Sequence, residues 1–402
     1  MGLFTSVGRA IMSTPRIGAA SLAVASLFLT GVTSMSAAKT FVYVSNAQDG
    51  NIDAYVMDAG NGTLTPAGKT EAAKMVMPMA VSPDKKILYA VIRSQPMRVL
   101  SYAIDPETGK LTQKASAPLP DSMPYVSTDR TGRFLFTASY GGDKLAVSPI
   151  GANGLVEAEA IQVIPTGRNA HSILPDPSNK FVYAATLGAN QVLQFTFDSA
   201  TGKLTPNQPA AVGPQAGHGP RHMIFSPNNK YLYVLNELSG HVTQYAIDSG
   251  KGTLTLIDSV SSVPAEAGLT WGVAQVPIAA APAAPAPAAA APKDDKPKVW
   301  AADIQITPNG KFLYSTERTT SKIALFTVAA DTGKLTYVGN FATEAQPRGI
   351  RIDPKGQYLI ASGEKSDRIS VYKIDQATGK LGEPNRYPVG NGANWVEIVE
   401  LQ

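Results

Sequence analysis

Residues 79–89, MAVSPDKKILY, hold an apolar run, a Ser-Pro turn and a second apolar run that ends on an aromatic ring. Proline fixes φ and offers no N–H to a ladder, so Ser82-Pro83 closes one strand, and Ile87-Leu88-Tyr89 opens the next. The unit recurs at Ser226-Pro227, Thr307-Pro308 and Asp353-Pro354. Its best marker is the third residue of the second strand: Tyr43, Tyr89, Phe136, Tyr183, Tyr233, Tyr314 and Ile360, at intervals of 46, 47, 47, 50, 81 and 46 residues. Only the 81 departs, and an insertion falls inside it. A third run alternates apolar and polar residues, as in 369–374, ISVYKI, and Gly-Lys-Leu turns follow at Gly109, Gly202, Gly333 and Gly379. Period-two alternation between Pro, Asn, Asp and Gly clusters is a strand-and-hairpin pattern; helical periodicity is missing from any long stretch after residue 38. Four short strands repeating at this length predict the blade of a β-propeller.

With the strands lettered A to D from the central channel outward, the first unit lacks strand A, because Phe41–Val44 already matches strand B. The last residues, Asn394–Leu401, read as a strand A with no hairpin partner of their own. The expected fold is therefore all-β, a seven-bladed propeller whose C-terminal strand completes the first blade and removes an exposed edge.

Residues 1–38 carry Arg9 and Arg16, no acid, an apolar run from Ile17 to about Thr30, and small residues at Ser36 and Ala38. That is the pattern of a secretory signal peptide, and it predicts a periplasmic or secreted protein. Removing those 38 of 402 residues leaves 364, and taking two arginines from 35 basic residues leaves 33 against 31 acidic. So small a net charge gives no nucleic-acid or membrane-surface signal. Cysteine is absent, which rules out disulfides, thiol catalysis, a lipoprotein anchor and thiolate metal sites. The mature domain, 39–402, is interrupted at about 259–299 by an inserted loop in which Ala279–Pro292 consists of Ala and Pro alone, a composition that forms no packed core.

The A–B hairpin turns put one end of every blade at the bottom, so the start of A and the end of B meet at the top. Registering the repeats places Met77, His171, Arg221, Ala302 and Arg348 at the start of A in blades two, four, five, six and seven. The end of B gives Ala47, Arg93, Tyr140, Leu187, Glu237, Arg318 and Glu364. His222 and Asp303 sit one residue further along A. Rim charges on any propeller are commonly solvated and nothing more. Four arginines with several acid–base groups around one concavity instead point to an anionic or polyhydroxylated ligand. His218 and His241 read as loop and surface residues.

The most distinctive local stretch is Gly219-Pro220-Arg221-His222, followed by Asn236-Glu237-Leu238. Here the chain resembles the propeller-type lactonases, among them the bacterial 6-phosphogluconolactonases of this fold. The likeness runs from about Thr40 to the C-terminus and includes 79–89, 126–129 (VSTD), 300–308 (WAADIQITP), 346–349 (QPRG), 365–372 and Trp395-Val396. Fungal muconate-lactonising enzymes look similar in fold and site. The resemblance implies that His171, Arg221, Glu237 and Arg318 line the catalytic pocket. Three features depart from the family pattern: Glu317 stands where Asp or Asn is usual, Thr186 and Asn190 replace common aspartates, and the Ala/Pro insertion has no counterpart.

The implied chemistry is hydrolysis of a sugar-derived lactone, phosphorylated or not. Glu237 is the first expectation for general base and His171 the second. Arg221 and Arg318 would hold the oxyanion or nascent carboxylate. His222, Arg348, Arg93, Tyr140, Asp303 and Glu364 are expected to contact substrate, with Arg348 and Arg93 suited to a phosphate. There is no Gly-x-Ser-x-Gly elbow, and neither a metal nor a cofactor is expected. The expected partner is a small-molecule lactone, with no nucleic acid, no stable membrane association after signal cleavage, and a monomeric state. The alternative is a non-catalytic exported propeller, a binding or scaffold protein, whose four key residues would be dispersed or locked in ion pairs.

Overall fold

The computed structural model describes residues 38–157, 159–275 and 296–401. Apart from a 3-10 turn at Ala265–Ala267, its elements are strands, grouped in seven four-stranded antiparallel sheets. Blade two shows the plan: Val76–Val81 is A, Ile87–Ile92 is B, Arg98–Ile104 is C and Leu111–Pro118 is D. Strand B is buried along its whole length, whereas D is mostly exposed. The ring closes as expected. Ala393–Leu401 pairs antiparallel with Lys39–Asn46, from Lys39 opposite Leu401 to Asn46 opposite Ala393, and so supplies strand A of blade one.

The periodic residues turn out to be partners. The hydroxyl of Tyr43 donates to the carbonyl of Gly109 at 2.8 Å, Tyr183 to Gly252 at 3.0 Å, Tyr233 to Gly333 at 2.7 Å and Tyr314 to Gly379 at 2.6 Å. In each case strand B of one blade holds the C–D turn of the next. Gly252 has φ +67°, and a Cβ there would lie 2.1 Å from Cδ1 of Phe181, so the turn needs glycine for both its backbone and its close approach. The A–B turns are held by their own side chains. Ser226 Oγ accepts the Tyr231 N–H at 2.9 Å, while Asp353 Oδ1 accepts those of Gln357 and Tyr358 at 2.6 Å.

The insertion starts later than its composition suggests. Strand D of blade five runs Thr253–Ser261, so Ser259–Ser261 belongs to the sheet. Thr270 and Lys298 then form an isolated parallel bridge, with Val299 N–H donating to the Thr270 carbonyl at 2.8 Å. Residues 276–295, which contain Ala279–Pro292, and residues 1–37, almost all of the expected signal peptide, lie outside the described residues.

Candidate active site

The start of strand A is irregular in six blades, and the irregularity positions the site. In blade five Pro220 pairs with Asn236 but His222 pairs with Leu235, leaving Arg221 as the extra residue of a β-bulge. His171 and Arg348 are extra in the same way in blades four and seven, and so is Asn394 in blade one. In blade two Met77 and Pro78 oppose the single residue Val91, and in blade six Ala302 and Asp303 oppose Thr316. A bulge takes a side chain out of the in-and-out alternation and re-aims it. That is how His171, Arg221 and Arg348 leave the blade interfaces for the channel.

Four of the expected residues converge below the mouth. Nε of Arg221 donates to Oε2 of Glu237 at 2.7 Å, and Nη2 of Arg318 donates to the same oxygen at 3.0 Å. Arg221 also bonds the Ala302 carbonyl through Nη1. Arg318 bonds the Trp300 and Ala301 carbonyls at 3.1 and 3.2 Å and lies over the Trp300 ring, 3.7 Å from its centre. All three side chains are buried. The expected general base is thus held between two cations. Burial alone would raise the Glu237 carboxyl, but Arg318 and Arg221 outweigh it and leave it below the ordinary glutamate range. Burial and the neighbouring arginines press the guanidiniums down, to about 10 for Arg221 and about 9 for Arg318, which still leaves both charged at neutral pH. Two cations face one carboxylate, so the three-residue cluster is itself net positive, with Asp303 near Arg221 and Glu364 near Arg318 as the further anions. Nη2 of Arg221 and Nη1 of Arg318 make no hydrogen bond among the described residues.

His171 is unpaired. Its Nδ1 is buried without a partner, and the ring meets those of Tyr140 and His222 edge-on, with centroids 5.8 and 5.3 Å away. Burial, then Arg221, hold its pKa well below the ordinary histidine value, so the imidazole is neutral. The four residues therefore converge, and the ion pairing expected of a scaffold is confined to Arg221, Glu237 and Arg318.

The remaining expected contacts are placed differently. Arg348 pairs with Glu364 at 3.4 Å on the half-buried rim. Arg93 bonds Ser122 Oγ at 3.0 Å and Met77 Sδ at 3.3 Å. The Tyr140 hydroxyl donates to the Gln275 carbonyl at 3.0 Å, which brings the segment after blade five to blade three. Asp303 is turned away from the mouth: Oδ1 meets His222 Nδ1 at 2.8 Å and the Ile304 N–H at 2.9 Å, and Oδ2 accepts the Ile350 N–H at 3.0 Å. His218 is not loop filling but buried, bonded to Ser239 Oγ at 3.1 Å and packed against Trp271 and His241.

Three aromatic residues had no assigned role from sequence: Trp300 under Arg318, and Tyr125 and Trp395 beside His222, with centroids 5.1 and 5.7 Å from it. Tyr125 and Trp395 take the inner-strand position of His222 in blades three and one, so extending the registration to those two blades finds them. Tyr125 and Trp395 pack on each other and on His222 and floor the site. Beneath lies a cavity of about 420 Å³ lined by Tyr125, Arg130, His222, Asp303 and Trp395. A larger groove of about 950 Å³, around Ser82–Ile87 and Gly151–Gly154, is at the A–B turn end and contains none of the cluster.

A family model described as lactonase, 7-bladed β-propeller, matches residues 41–398. The chain belongs to the seven-bladed β-propeller lactonases. This lactonase is 40% identical over 360 residues to a 6-phosphogluconolactonase of Pectobacterium carotovorum, spanning 90% of its own chain and 98% of that one. It is also 40% identical to the 6-phosphogluconolactonase of Serratia proteamaculans, over 90% of its own length and 99% of the relative's. Among solved structures, the periplasmic gluconolactonase of Pseudomonas aeruginosa superposes with a TM-score of 0.75 at 24% identity, over 90% of this chain and 99% of that one, a likeness of fold. The lactonase is accordingly a carboxylic ester hydrolase.

The family departures fall outside its charged cluster. Glu317 accepts the N–H groups of Trp300, Thr319 and Thr320 and so ties the turn after Arg318 to the start of strand A in blade six. Asn190 Oδ1 accepts the Gly219 N–H at 2.9 Å, which fixes the approach to Arg221, and Thr186 Oγ1 donates to the Gln191 carbonyl.

Proposed function

We propose that this lactonase opens the six-membered lactone of an aldonic acid, with the buried positive charge of the Arg221–Glu237–Arg318 cluster as the carrying observation. The lactone carbonyl oxygen lies against the free donors Nη2 of Arg221 and Nη1 of Arg318, where the developing oxyanion meets the net positive charge of the cluster. Removing one such preorganised donor typically costs about 10²–10³ in kcat. Glu237 orients the two guanidiniums rather than taking a proton, because two cations already stabilise its ionised form.

Water activation then falls to His171, which is neutral and beside the cluster. It takes one proton from water as the oxygen attacks the carbonyl carbon. It returns that proton to the ring oxygen when the tetrahedral intermediate collapses and the C–O ring bond breaks; the new carboxyl group then releases water's second proton to solvent and leaves as the carboxylate. Arg348 and Arg93, further out, hold the distal end of the substrate, a phosphate or hydroxyl groups. The names of the 40%-identical relatives favour 6-phosphogluconolactone. Residues 1–38 favour export, and with it an unphosphorylated aldonolactone.

Purified protein beginning at Lys39 is assayed with glucono-δ-lactone and its 6-phosphate, beside Arg221→Met. Hydrolysis of either that the substitution abolishes supports the reading, and the preferred ester decides the phosphate question. No acceleration of either overturns it. Fractionation of cells making the full chain tests export: an unprocessed N-terminus in the cytoplasm removes that part.

A further inference from the structure

The chain that leaves blade five stays with the site. The Gly272 N–H donates to the Leu238 carbonyl at 2.7 Å, one residue past Glu237, and Thr270 bonds Pro297 and Val299, which lead into Trp300. A Cβ on Gly272 would lie 2.5 Å from the Val299 carbonyl oxygen, so this stretch is pressed between the top loops of blades five and six. Trp271 anchors it, edge-on to the rings of His218 and His241 with centroids 4.9 and 6.0 Å away. Three residues on, the Gln275 carbonyl accepts the Tyr140 hydroxyl at 3.0 Å, and the Tyr140 ring stands edge-on to His171. Three residues span at most about 10 Å, so 272–275 runs directly from blade five to blade three, across the blade-four side of the mouth where His171 sits. Exposure follows the same asymmetry. The side chains of Arg221, Glu237 and Arg318 are 1, 5 and 2% exposed, whereas Arg348 and Glu364 of blade seven are 12 and 22% exposed.

We propose that residues 270–275 form a fixed wall of the substrate pocket and determine its specificity at C2 of the lactone. The inference rests on the lactonase reading above. With the carbonyl at Arg221 and Arg318 and the C6 end toward Arg348 and Arg93, the opposite ring edge, C2 and C3, is turned to the side that the wall closes. A hydroxyl is accommodated there, and a larger group meets backbone that Trp271 and Tyr140 hold in place. The Tyr140 hydroxyl proton is committed to the Gln275 carbonyl, so Tyr140 is a positioning residue for the wall and does not donate to substrate. The substrate class is thereby narrowed to aldonolactones with a free hydroxyl at C2, and the 2-acetamido lactones of amino sugars are excluded by steric conflict.

Protein beginning at Lys39 is assayed with glucono-δ-lactone and 2-acetamido-2-deoxyglucono-δ-lactone, both as 6-phosphates if the wild type prefers that form. Wild-type kcat/KM is expected to be at least about 100-fold lower for the acetamido lactone. Trp271→Ala and Tyr140→Phe should each raise activity on the acetamido lactone and narrow that ratio at least about tenfold. Trp271→Phe, which keeps a ring against His218, should preserve most of the discrimination. Hydrogen exchange of the peptide covering 270–275 gives a readout independent of catalysis. The Gly272 amide, bonded to Leu238, is expected to be protected in the wild type and to exchange faster in Trp271→Ala and Tyr140→Phe. A wild-type ratio near one, a ratio that neither variant moves, or exchange that neither variant changes overturns the proposal. Tyr140→Phe removes a single oxygen, so it decides the matter should Trp271→Ala fail to fold. Failure of the wild type to open either glucono-δ-lactone or its 6-phosphate would sink the lactonase reading and the C2 assignment with it, and the exchange would then decide whether the wall is built.

Discussion

Nε of Arg221 lies 2.7 Å from Oε2 of Glu237, and both side chains are almost wholly buried. The same oxygen is shared with Arg318, so one carboxylate serves two guanidiniums from adjacent blades. This relationship makes Glu237 part of the electrostatic frame of the site and holds its carboxyl below the ordinary glutamate range.

Truncating one member of such a cluster leaves buried charge without its partner. Glu237→Gln is expected to destabilise the protein by about 3–5 kcal/mol, measured by denaturant unfolding. A loss below about 1 kcal/mol would mean that the arginines find other partners and that the frame is not structural.

Arg318 makes a flat, directional set of contacts: two carbonyls, one carboxylate and the face of Trp300. Lysine keeps the charge but has neither the fork nor the stacking plane. Arg318→Lys is expected to lower kcat by about 10²–10³. Retention of near wild-type turnover would show that charge alone suffices.

His171 and His222 are both neutral when folded, each because of burial first and Arg221 second, with His222 pushed down to about 4. The unfolded chain takes up protons at these positions near pH 6.5, whereas the folded protein does not. Below about 6.5 the unfolded state therefore binds more protons, and stability falls as pH falls, by about 1.4 kcal/mol per pH unit for His222 down to about 4 and in the same direction for His171. Above 6.5 both states are neutral at these sites and this contribution is fully present. Melting temperature followed from pH 7.5 to 4 should show the decline, and His222→Gln should make it shallower. The same depression of His171 predicts that kcat/KM stays level through pH 6.5 and falls only at more acid pH.

The blade-to-blade bonds carry their own test. Tyr233→Phe leaves the Gly333 carbonyl without its donor and is expected to cost about 1–3 kcal/mol. Gly252→Ala, with a positive φ and a Cβ driven into Phe181, should cost at least as much. Neutral effects on melting temperature would separate the periodic residues from blade cohesion.

The repeat was legible because a strand pattern and its turn prolines are local: MAVSPDKKILY contains both the period-two alternation and the stop, whatever lies elsewhere. Ring closure followed too, since a blade without strand A and a strand without a blade have one mutual solution. The list of rim residues came from the same registration. What each rim residue does was not local. Glu237 reads as a base until Arg318, 81 residues away and from another blade, arrives at the same oxygen as Arg221. Asp303 reads as a mouth residue until the bulge at Ala302-Asp303 puts it beside His222. The number of blades, the closure of the ring and the residues that gather at one end of it are written in the chain, because periodic strand chemistry resides in neighbouring residues. Which of those residues are clamped, which are turned inward and which keep a free nitrogen emerges on folding. Those outcomes depend on inner-strand bulges and on charges brought together across blades, and no spacing along the chain encodes them.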